Sequence, residues 1–95
     1  MRGDPARYTL SIAPTARRQL AQHLPAAIAF AAHQFIVGPL LDSPQRVGKR
    51  LRAPLDDRHS ARRGTYRVIY RIDDEKRIVT VLDVVHRRQA YRTGR

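Results

Sequence analysis

The sequence contains no cysteine, and only eight of its 95 residues are acidic. Without cysteine there are no disulfide bridges or thiolate metal sites, which fits a reducing compartment. The longest apolar stretch, around "LPAAIAFAAHQFIVGPLL", is interrupted by His33 and Gln34 and is too short and mixed to span a bilayer. The first residues, "MRGDPARYTL", lack the apolar region of a signal peptide. We therefore expect a cytoplasmic protein that makes no contact with a membrane.

Positive charge, by contrast, is abundant. Lys and Arg number 19, the formal net charge is +11 and the pI is near 11.5. All of these basic residues except Lys49 and Lys76 are arginines, whose planar guanidinium groups bind phosphate bidentately. Fifteen of them lie from Pro44 onward, so we expect the second half to carry the binding chemistry. Nucleic acid is the first candidate ligand, and a solvated basic surface is the alternative.

The length and the hydrophobic fraction of 42% predict one compact domain with a modest core over residues 1–95, of which residues 1–6 are expected to be flexible. The alternating segment "RYTLSIAP" predicts a strand. Apolar spacing then predicts a helix from about Thr15 to His23 and a second from Pro25 to about Gly38. Together they would form a helical hairpin. The buried stripe of the first helix would consist of Ala16, Leu20 and either His23 or Leu24.

The second half changes to strand-like periodicity. "DSPQRVGKRLRAPLDDRHS" resembles a loop, and strands follow over roughly Arg58 to Arg63, in "TYRVIYRI" and in "RIVTVLDVV", with a turn at Asp73 to Lys76. Pleating places alternate residues on opposite faces. One face of the middle strand carries Tyr66, Val68, Tyr70 and Ile72, and the other carries Arg67, Ile69 and Arg71. In the last strand, Ile78, Thr80, Leu82 and Val84 would share one face, and Val79, Val81, Asp83 and Val85 the other.

The predicted fold class is therefore α+β, with a small, mainly antiparallel four-stranded sheet and an N-terminal helical hairpin packed on one of its faces. The other face, which carries Arg67, would remain open. If Arg87 follows the last strand, its guanidinium and that of Arg67 could meet in one groove. Further members of this groove would be Arg62 or Arg63, His86, Arg88 and Tyr91.

Such a groove suits an RNA backbone, because guanidinium groups neutralise phosphates and a tyrosine ring stacks on a base. RNA can be cleaved without a metal, since its own 2′-OH is an internal nucleophile. The protein must then accept the 2′ proton, stabilise the pentacoordinate phosphate and protonate the leaving oxygen. Arginine meets the second need, and His86 or Tyr91 could meet the others.

Simpler interpretations remain open for the same residues. Arg67 and Arg71 could pair with Asp83 or Asp56 within the sheet, His86 could be an ordinary surface residue, and Tyr91 could anchor the C-terminus. The four histidines are scattered and the acids of the 73–75 turn resemble ordinary turn residues, so we predict neither a metal site nor a cofactor.

Three segments in this order, "YTLSIAPTARRQL", "GTYRVIYRID" and "VLDVVHRRQAYR", resemble the RelE/ParE superfamily of toxins from type II toxin–antitoxin modules. The ending His-Arg-Arg…Tyr is closer to the RelE branch. RelE-like toxins are ribosome-dependent endoribonucleases that cut mRNA in the ribosomal A site and so inhibit translation. The fold of the family is similar to the one predicted above.

The resemblance implies a role for each matching residue. Arg67 would act on the scissile phosphate, Arg87 would stabilise phosphate charge, Tyr91 would stack on a base, and His86 stands just before Arg87. Two lysines that RelE toxins carry on the preceding strand are missing from "RHSARRG", so the general base could be His86, His59 or electrostatics alone. Further RNA contacts are predicted for Arg58, Arg62, Arg63, Arg71, Arg88 and Arg92.

The resemblance also implies partners. These are a RelB-like antitoxin, mRNA and the A site of the 30S ribosomal subunit, with operator DNA contacted only through the antitoxin complex. Two other functions remain open at this point. One is a ParE-like, non-enzymatic inhibitor of DNA gyrase, and the other is a plain RNA-binding or ribosome-binding protein.

Overall fold

A computed structural model describes residues 7–86 of the chain. The elements follow the order that the sequence predicts, which is one strand, a helical region and then further strands. No helix in this range is long and apolar enough to cross a bilayer. The elements are β1 (Thr9–Ile12), α1 (Pro14–Arg18), a π-helical turn (Gln19–His23), α2 (Ala26–Val37), α3 (Pro39–Asp42), α4 (Pro44–Val47), β2 (Lys49–Arg50), β3 (His59–Arg63), β4 (Tyr66–Asp73) and β5 (Ile78–His86).

The strands form one sheet in the order β1-β5-β4-β3-β2. β1 runs parallel to β5 and every other pair is antiparallel, which confirms the predicted α+β class and the mainly antiparallel sheet. The sheet has five strands rather than four. The added strand, Lys49–Arg50, pairs with Ser60 and His59 inside the segment predicted as a loop. Two residues are too few to show alternation, so this strand is specified by its pairing alone.

The helices cover one face of the sheet. Tyr66 and Tyr70 are buried on this face, as the sequence predicts, and each hydroxyl donates a hydrogen bond to a backbone carbonyl of the helical layer. The acceptors are the oxygens of Ala31, at 3.3 Å, and Pro44, at 2.6 Å. Burial raises the pKa of Tyr70 to about 12. The fully buried side chains of this core include Ile36, Leu40, Val68, Val79, Val81 and Val84.

A β-bulge in β5 corrects the predicted faces of that strand. Ile69 pairs with Asp83 and Tyr70 with Val81, so Leu82 has no partner on β4. The extra residue reverses the alternation. Up to the bulge the core takes the odd-numbered Val79 and Val81, and beyond it the even-numbered Val84. A strict two-residue period along the whole strand was therefore the wrong expectation.

The first helix also gains a residue. The amide of Leu24 donates to the carbonyl of Gln19 at 3.1 Å, an i to i+5 bond that closes a π-helical turn. As a result Leu24, rather than His23, is buried. Gln19 lies beside the part of β5 beyond the end of β1. Its Oε1 accepts from the Val84 amide at 2.7 Å, and its Nε2 donates to the Asp83 side chain at 2.6 Å, so the Val84 amide at this strand edge has a partner.

Candidate nucleic-acid interface

Two arginines lie side by side on the face of the sheet opposite the helices. Arg62 on β3 pairs in register with Arg67 on β4, and both side chains are exposed. Directly opposed residues on neighbouring strands project from the same face with their Cβ atoms about 5 Å apart. Tyr66 and Val68, which flank Arg67, are buried on the helical side, so Arg67 must point away from it. The sheet thus holds two guanidinium groups together on its open face.

Neither arginine of this pair forms an ion pair with an acid within residues 7–86. Within residues 7–86, neither Arg67 nor Arg71 forms an ion pair with Asp83 or Asp56. Asp83 instead accepts a hydrogen bond from Gln19. Like charges directly opposed across strands destabilise a sheet. The interpretation of these arginines as internal ion-pair partners therefore finds no support, and the pair is a candidate anion site.

Arg63 lies on the other side of the sheet. It pairs in register with Tyr66, and its guanidinium carbon lies 4.5 Å from the centroid of the Phe35 ring, a cation–π contact over α2. The sequence left open whether Arg62 or Arg63 would join Arg67. The structure brings Arg62 to Arg67 and packs Arg63 against the helical layer.

The histidine at the end of β5 is also separated from Arg67. His86 pairs in register with Tyr66, whereas Arg67 pairs with Val85. Neighbouring positions of a strand project to opposite faces, so the register places His86 on the helical side. The remaining predicted site residues, Arg87, Arg88, Tyr91 and Arg92, lie outside the described residues. The meeting of Arg67 with Arg87 therefore stays a prediction.

Two of the predicted RNA-binding arginines border the loop that joins β2 to β3. Arg58 is half-buried, its Nε lies 3.5 Å from a carboxylate oxygen of Asp57, and this nitrogen is buried without a hydrogen-bond partner. Arg71 shares the open face of β4 with Arg67, about 13 Å further along the strand. It is exposed and also lines a pocket at the far end of the sheet.

This pocket is the feature that sequence reasoning missed. His59 begins β3 and pairs with Tyr70, so Arg71 to Asp73 extend beyond β3 and leave a notch at the sheet edge. The notch opens into a cavity of 380 Å³. Its lining comes from separate segments, and no spacing in the sequence brings them together. Six charged or titratable residues take part: Arg50, Asp56, Asp57, His59, Arg71 and Asp74.

The imidazole of His59 has an unusual environment. Its ring stacks on Tyr70 with centroids 5.5 Å apart and an interplanar angle of 27°. Its Nδ1 is buried without a hydrogen-bond partner. Burial lowers the pKa of His59, the nearby charge of Arg50 lowers it further, and Asp74 partly opposes this. We therefore expect a neutral imidazole near pH 7.

The acids that line this pocket contact different partners. Asp74 accepts hydrogen bonds from Tyr8 and, at 2.8 Å, from Gln45. These bonds connect the residue before β1, and α4, to the turn between β4 and β5. Asp57 is the partner of Arg58. Across residues 7–86, no three His, Asp or Glu side chains converge in a way that could hold a metal ion.

Comparison with known proteins identifies the chain's family. The sequence profile described as "ParE toxin of type II toxin-antitoxin system, parDE" matches residues 6–91. The chain belongs to this toxin family. The match covers nearly the whole chain and confirms the resemblance to the RelE/ParE superfamily.

Two curated relatives are RelE-type toxins. The chain is 48% identical over 85 residues to Toxin RelE of Mycobacterium tuberculosis, which covers 90% of this chain and 87% of that toxin. It is 51% identical over 85 residues to Toxin RelG of the same organism. That alignment covers 90% of this chain and 97% of RelG. This toxin-family member is thus RelE-like in its sequence.

A solved structure gives the same result for the fold. The toxin–antitoxin complex RelBE2 from Mycobacterium tuberculosis contains a chain that is 51% identical and superposes with a TM-score of 0.81. The match covers 85% of this chain and 99% of that chain. This protein is therefore a RelE-like toxin in both sequence and fold.

Proposed function

We propose that this toxin is a metal-independent endoribonuclease that cleaves ribosome-bound mRNA and so stops translation. The observation that carries the proposal is the Arg62–Arg67 pair on the open sheet face. A phosphodiester placed between the two guanidinium groups would relieve their mutual repulsion and gain charge-assisted hydrogen bonds. A chain of net charge +11 would also attract RNA electrostatically.

The RNA supplies its own nucleophile, the 2′-OH next to the scissile phosphate. The 2′ oxygen attacks phosphorus, the bond to the 5′ oxygen of the next nucleotide breaks, and the products carry a 2′,3′-cyclic phosphate and a 5′-OH. Negative charge on the non-bridging oxygens grows as the pentacoordinate state forms. Arg67, assisted by Arg62, stabilises that charge, and Arg87 has the same predicted role.

Proton transfer is assigned to residues near the end of the chain. His86 and Tyr91 keep the roles of base or acid that the sequence suggests. His86 has the weaker case, because its register places it on the face opposite Arg67. His59 is neutral enough to accept a proton, but it pairs with Tyr70, three residues along β3 from Arg62. Charge stabilisation by arginine therefore carries most of this proposed mechanism.

The RNA strand would follow the open face from Arg67 toward Arg71. Arg58, which precedes His59 and so lies near the Arg71 end of that path, and the C-terminal Arg88 and Arg92 are proposed as further phosphate contacts. Arg63 is left out of this group, because its guanidinium packs on Phe35.

We also propose that a RelB-type antitoxin holds the toxin inactive. The relative from Mycobacterium tuberculosis was solved as a toxin–antitoxin complex. An acidic segment laid over the open face would neutralise Arg62 and Arg67 and exclude RNA from them. Operator DNA would be contacted only through that complex.

The test is controlled expression of the full chain in growing bacteria. We expect early loss of amino-acid incorporation, and primer extension should reveal cuts in mRNA only while that mRNA is being translated. Arg67→Ala should lower cleavage by about 100-fold or more, which is typical when one transition-state charge donor is lost. Arg87→Ala should have a comparable effect.

Arg46→Ala is the matched control. Arg46 is exposed on α4, and its guanidinium has no partner within residues 7–86. The variant removes the same charge from a distant surface and should keep full toxicity. If Arg67→Ala and Arg87→Ala are as toxic as Arg46→Ala, the site assignment is wrong.

A second candidate function comes from the family description, which names ParE. A ParE-like toxin would inhibit DNA gyrase without cleaving RNA. Thymidine incorporation would then fall before amino-acid incorporation, and the DNA-damage response would be induced. A harmless expressed protein that binds RNA with steep salt dependence would instead indicate a plain RNA-binding protein.

A further inference from the structure

We propose that Lys49 is a further catalytic residue, whose ammonium group protonates the 5′ oxygen that leaves when the RNA is cut. The proposal rests on the proposed function, which supplies the RNA substrate and its 2′-OH nucleophile. Arginine cannot donate this proton, because a guanidinium group keeps its charge in proteins. A lysine carries a proton at neutral pH and can release it. The chain contains only two lysines, Lys49 and Lys76.

The register of the sheet places Lys49 on the open face. Lys49 on β2 pairs with Ser60 on β3, and Ser60 pairs with Ile69 on β4. Directly opposed residues of neighbouring strands project from the same face. Ala61, the next residue of β3, is buried with its partner Val68 on the helical side, so Ser60 and Lys49 project the other way. The Lys49 side chain is exposed there.

Three cationic residues therefore surround Ser60 on the open face. Lys49 is directly beside it on β2. Arg62 lies two residues further along β3, about 7 Å away. Arg67 is the diagonal neighbour of Ser60 on β4, at about 7–8 Å. Within residues 7–86 none of the three cations forms an ion pair, so a phosphate bound between Arg62 and Arg67 would lie beside the Lys49 ammonium group.

The backbone that carries Lys49 is held closely against β3. A side chain at Gly48 would lie only 2.8 Å from the carbonyl oxygen of Ser60, so the strand can approach this closely only with glycine at that position. After β2, the amide of Leu51 donates to the carbonyl of Arg58 at 2.9 Å. The pairing is thus fastened on both sides of Lys49. A proton donor needs such a fixed position relative to the reacting atoms.

The proton balance of the step is complete. The 2′-OH gives its proton to a base, for which His86 and Tyr91 remain the candidates, as the 2′ oxygen attacks phosphorus. The bond from phosphorus to the 5′ oxygen breaks, and its electron pair goes to that oxygen. Lys49 Nζ donates a proton to it, so the leaving group departs as a 5′-OH rather than as an alkoxide. The resulting amine then takes a proton from water. Arg62 and Arg67 stabilise the phosphate charge and exchange no proton.

The alternative is that Lys49 only adds a third positive charge to the phosphate site. Substitution by arginine separates the two roles, because it keeps the charge and the hydrogen-bond donors but cannot release a proton. The leaving atom separates them in the RNA. Sulfur in place of the bridging 5′ oxygen leaves as a thiolate, which is stable enough to depart without a proton.

The experiment measures single-turnover cleavage of ribosome-bound mRNA that carries either oxygen or sulfur at the bridging 5′ position of the cleavage site mapped by primer extension. With oxygen, Lys49→Arg should cut at least about 100-fold more slowly than the unaltered protein, as expected when a general acid is lost. With sulfur, the two proteins should cut at about equal rates. Lys76→Arg is the matched control, because Lys76 is exposed in the turn between β4 and β5. It should match the unaltered protein on both substrates.

Two results would overturn the assignment. If Lys49→Arg cuts the oxygen-linked mRNA as fast as the unaltered protein does, Lys49 acts through its charge alone. An equal loss of rate on both substrates, with unchanged circular dichroism, would show that Lys49 binds the RNA or supports the fold without donating a proton. Either result leaves the proposed function intact. Failure of the unaltered protein to cut the oxygen-linked mRNA would overturn the proposed function and the role of Lys49 together.

Discussion

The two faces of the sheet differ in whether their polar side chains have partners within the protein. On the helical face, the hydroxyls of Tyr66 and Tyr70 each donate to a named backbone carbonyl, and the Arg63 guanidinium packs over an aromatic ring. On the open face, Arg62 and Arg67 stand side by side, and neither forms an ion pair within residues 7–86. Both faces are built from the same strands, and often from adjacent residues.

Because of this difference, we expect the helical face to determine stability and the open face to determine binding. A buried polar group without a partner costs free energy, so the helical face satisfies its own groups. The arginines of the open face remain hydrated in the free protein and are available to an external anion. Adjacent residues of β4 should therefore respond very differently to substitution, and this expectation can be tested residue by residue.

The largest effect is expected from Tyr70→Ala. Tyr70 is fully buried, and its removal leaves a large cavity and an unpaired Pro44 carbonyl. We expect the free energy of unfolding to fall by about 4 kcal/mol, as for other buried aromatic residues. Urea unfolding followed by circular dichroism measures this, since the chain has no tryptophan.

The neighbouring residue Ile69 is the matched control. It lies on the same strand but projects to the open face, where it is only half-buried. Ile69→Ala should cost less than half as much as Tyr70→Ala. Equal losses at the two positions would show that the open face is packed as tightly as the helical one, and the comparison of the faces would fail.

The second expected effect is an increase in the free energy of unfolding. Arg62→Ala removes one of two like charges that oppose each other across β3 and β4. We expect the unfolding free energy to rise by about 0.5 kcal/mol at low ionic strength, and the gain to shrink in high salt. RNA affinity should fall in the same variant, with the salt dependence reduced by about one phosphate contact. Stability and binding would thus change in opposite directions.

Arg46→Ala again controls for net charge, and it should change neither the stability nor the salt slope of RNA binding. If Arg62→Ala destabilises the protein, the guanidinium has a stabilising partner, and the open face cannot be described as an unneutralised anion site.

The sequence predicted much of this arrangement, because it rests on local periodicity. Alternation in β4 placed Tyr66 and Tyr70 in the core and Arg67 on the open face, and the structure agrees. The choice between Arg62 and Arg63 required the register of β3 against β4, which depends on the turn at Gly64 with its positive φ of 58°.

Features that depend on tertiary contact were not predictable in this way. The bulge at Leu82 reverses the faces of β5, and no residue in "RIVTVLDVV" marks where it occurs. The strand Lys49–Arg50 exists because β3 offers it an edge. The His59 pocket joins the end of β4 to a loop more than ten residues earlier in the chain. The C-terminal half of the predicted groove, from Arg87 onward, stays a prediction.

The smallest effect concerns His59, which lies on the helical side but lacks a partner for Nδ1. Burial lowers its pKa below the unfolded value of 6.5. Between that value and the lower folded pKa, the unfolded chain binds more protons than the folded protein. The free energy of unfolding should therefore decrease as pH falls through this window and recover above it.

The measurement compares unfolding of the unaltered protein and of His59→Gln at several pH values below and above 6.5. Glutamine does not titrate, so the variant should lose less stability on acidification, and subtracting the two curves cancels the contribution of the carboxylates. His33→Gln, at an exposed position of α2, controls for the loss of one imidazole. Parallel curves for the unaltered protein and His59→Gln would mean that His59 is as well hydrated as a residue of the open face. His59, the first residue of β3, would then lie outside the packed, helical face of the sheet.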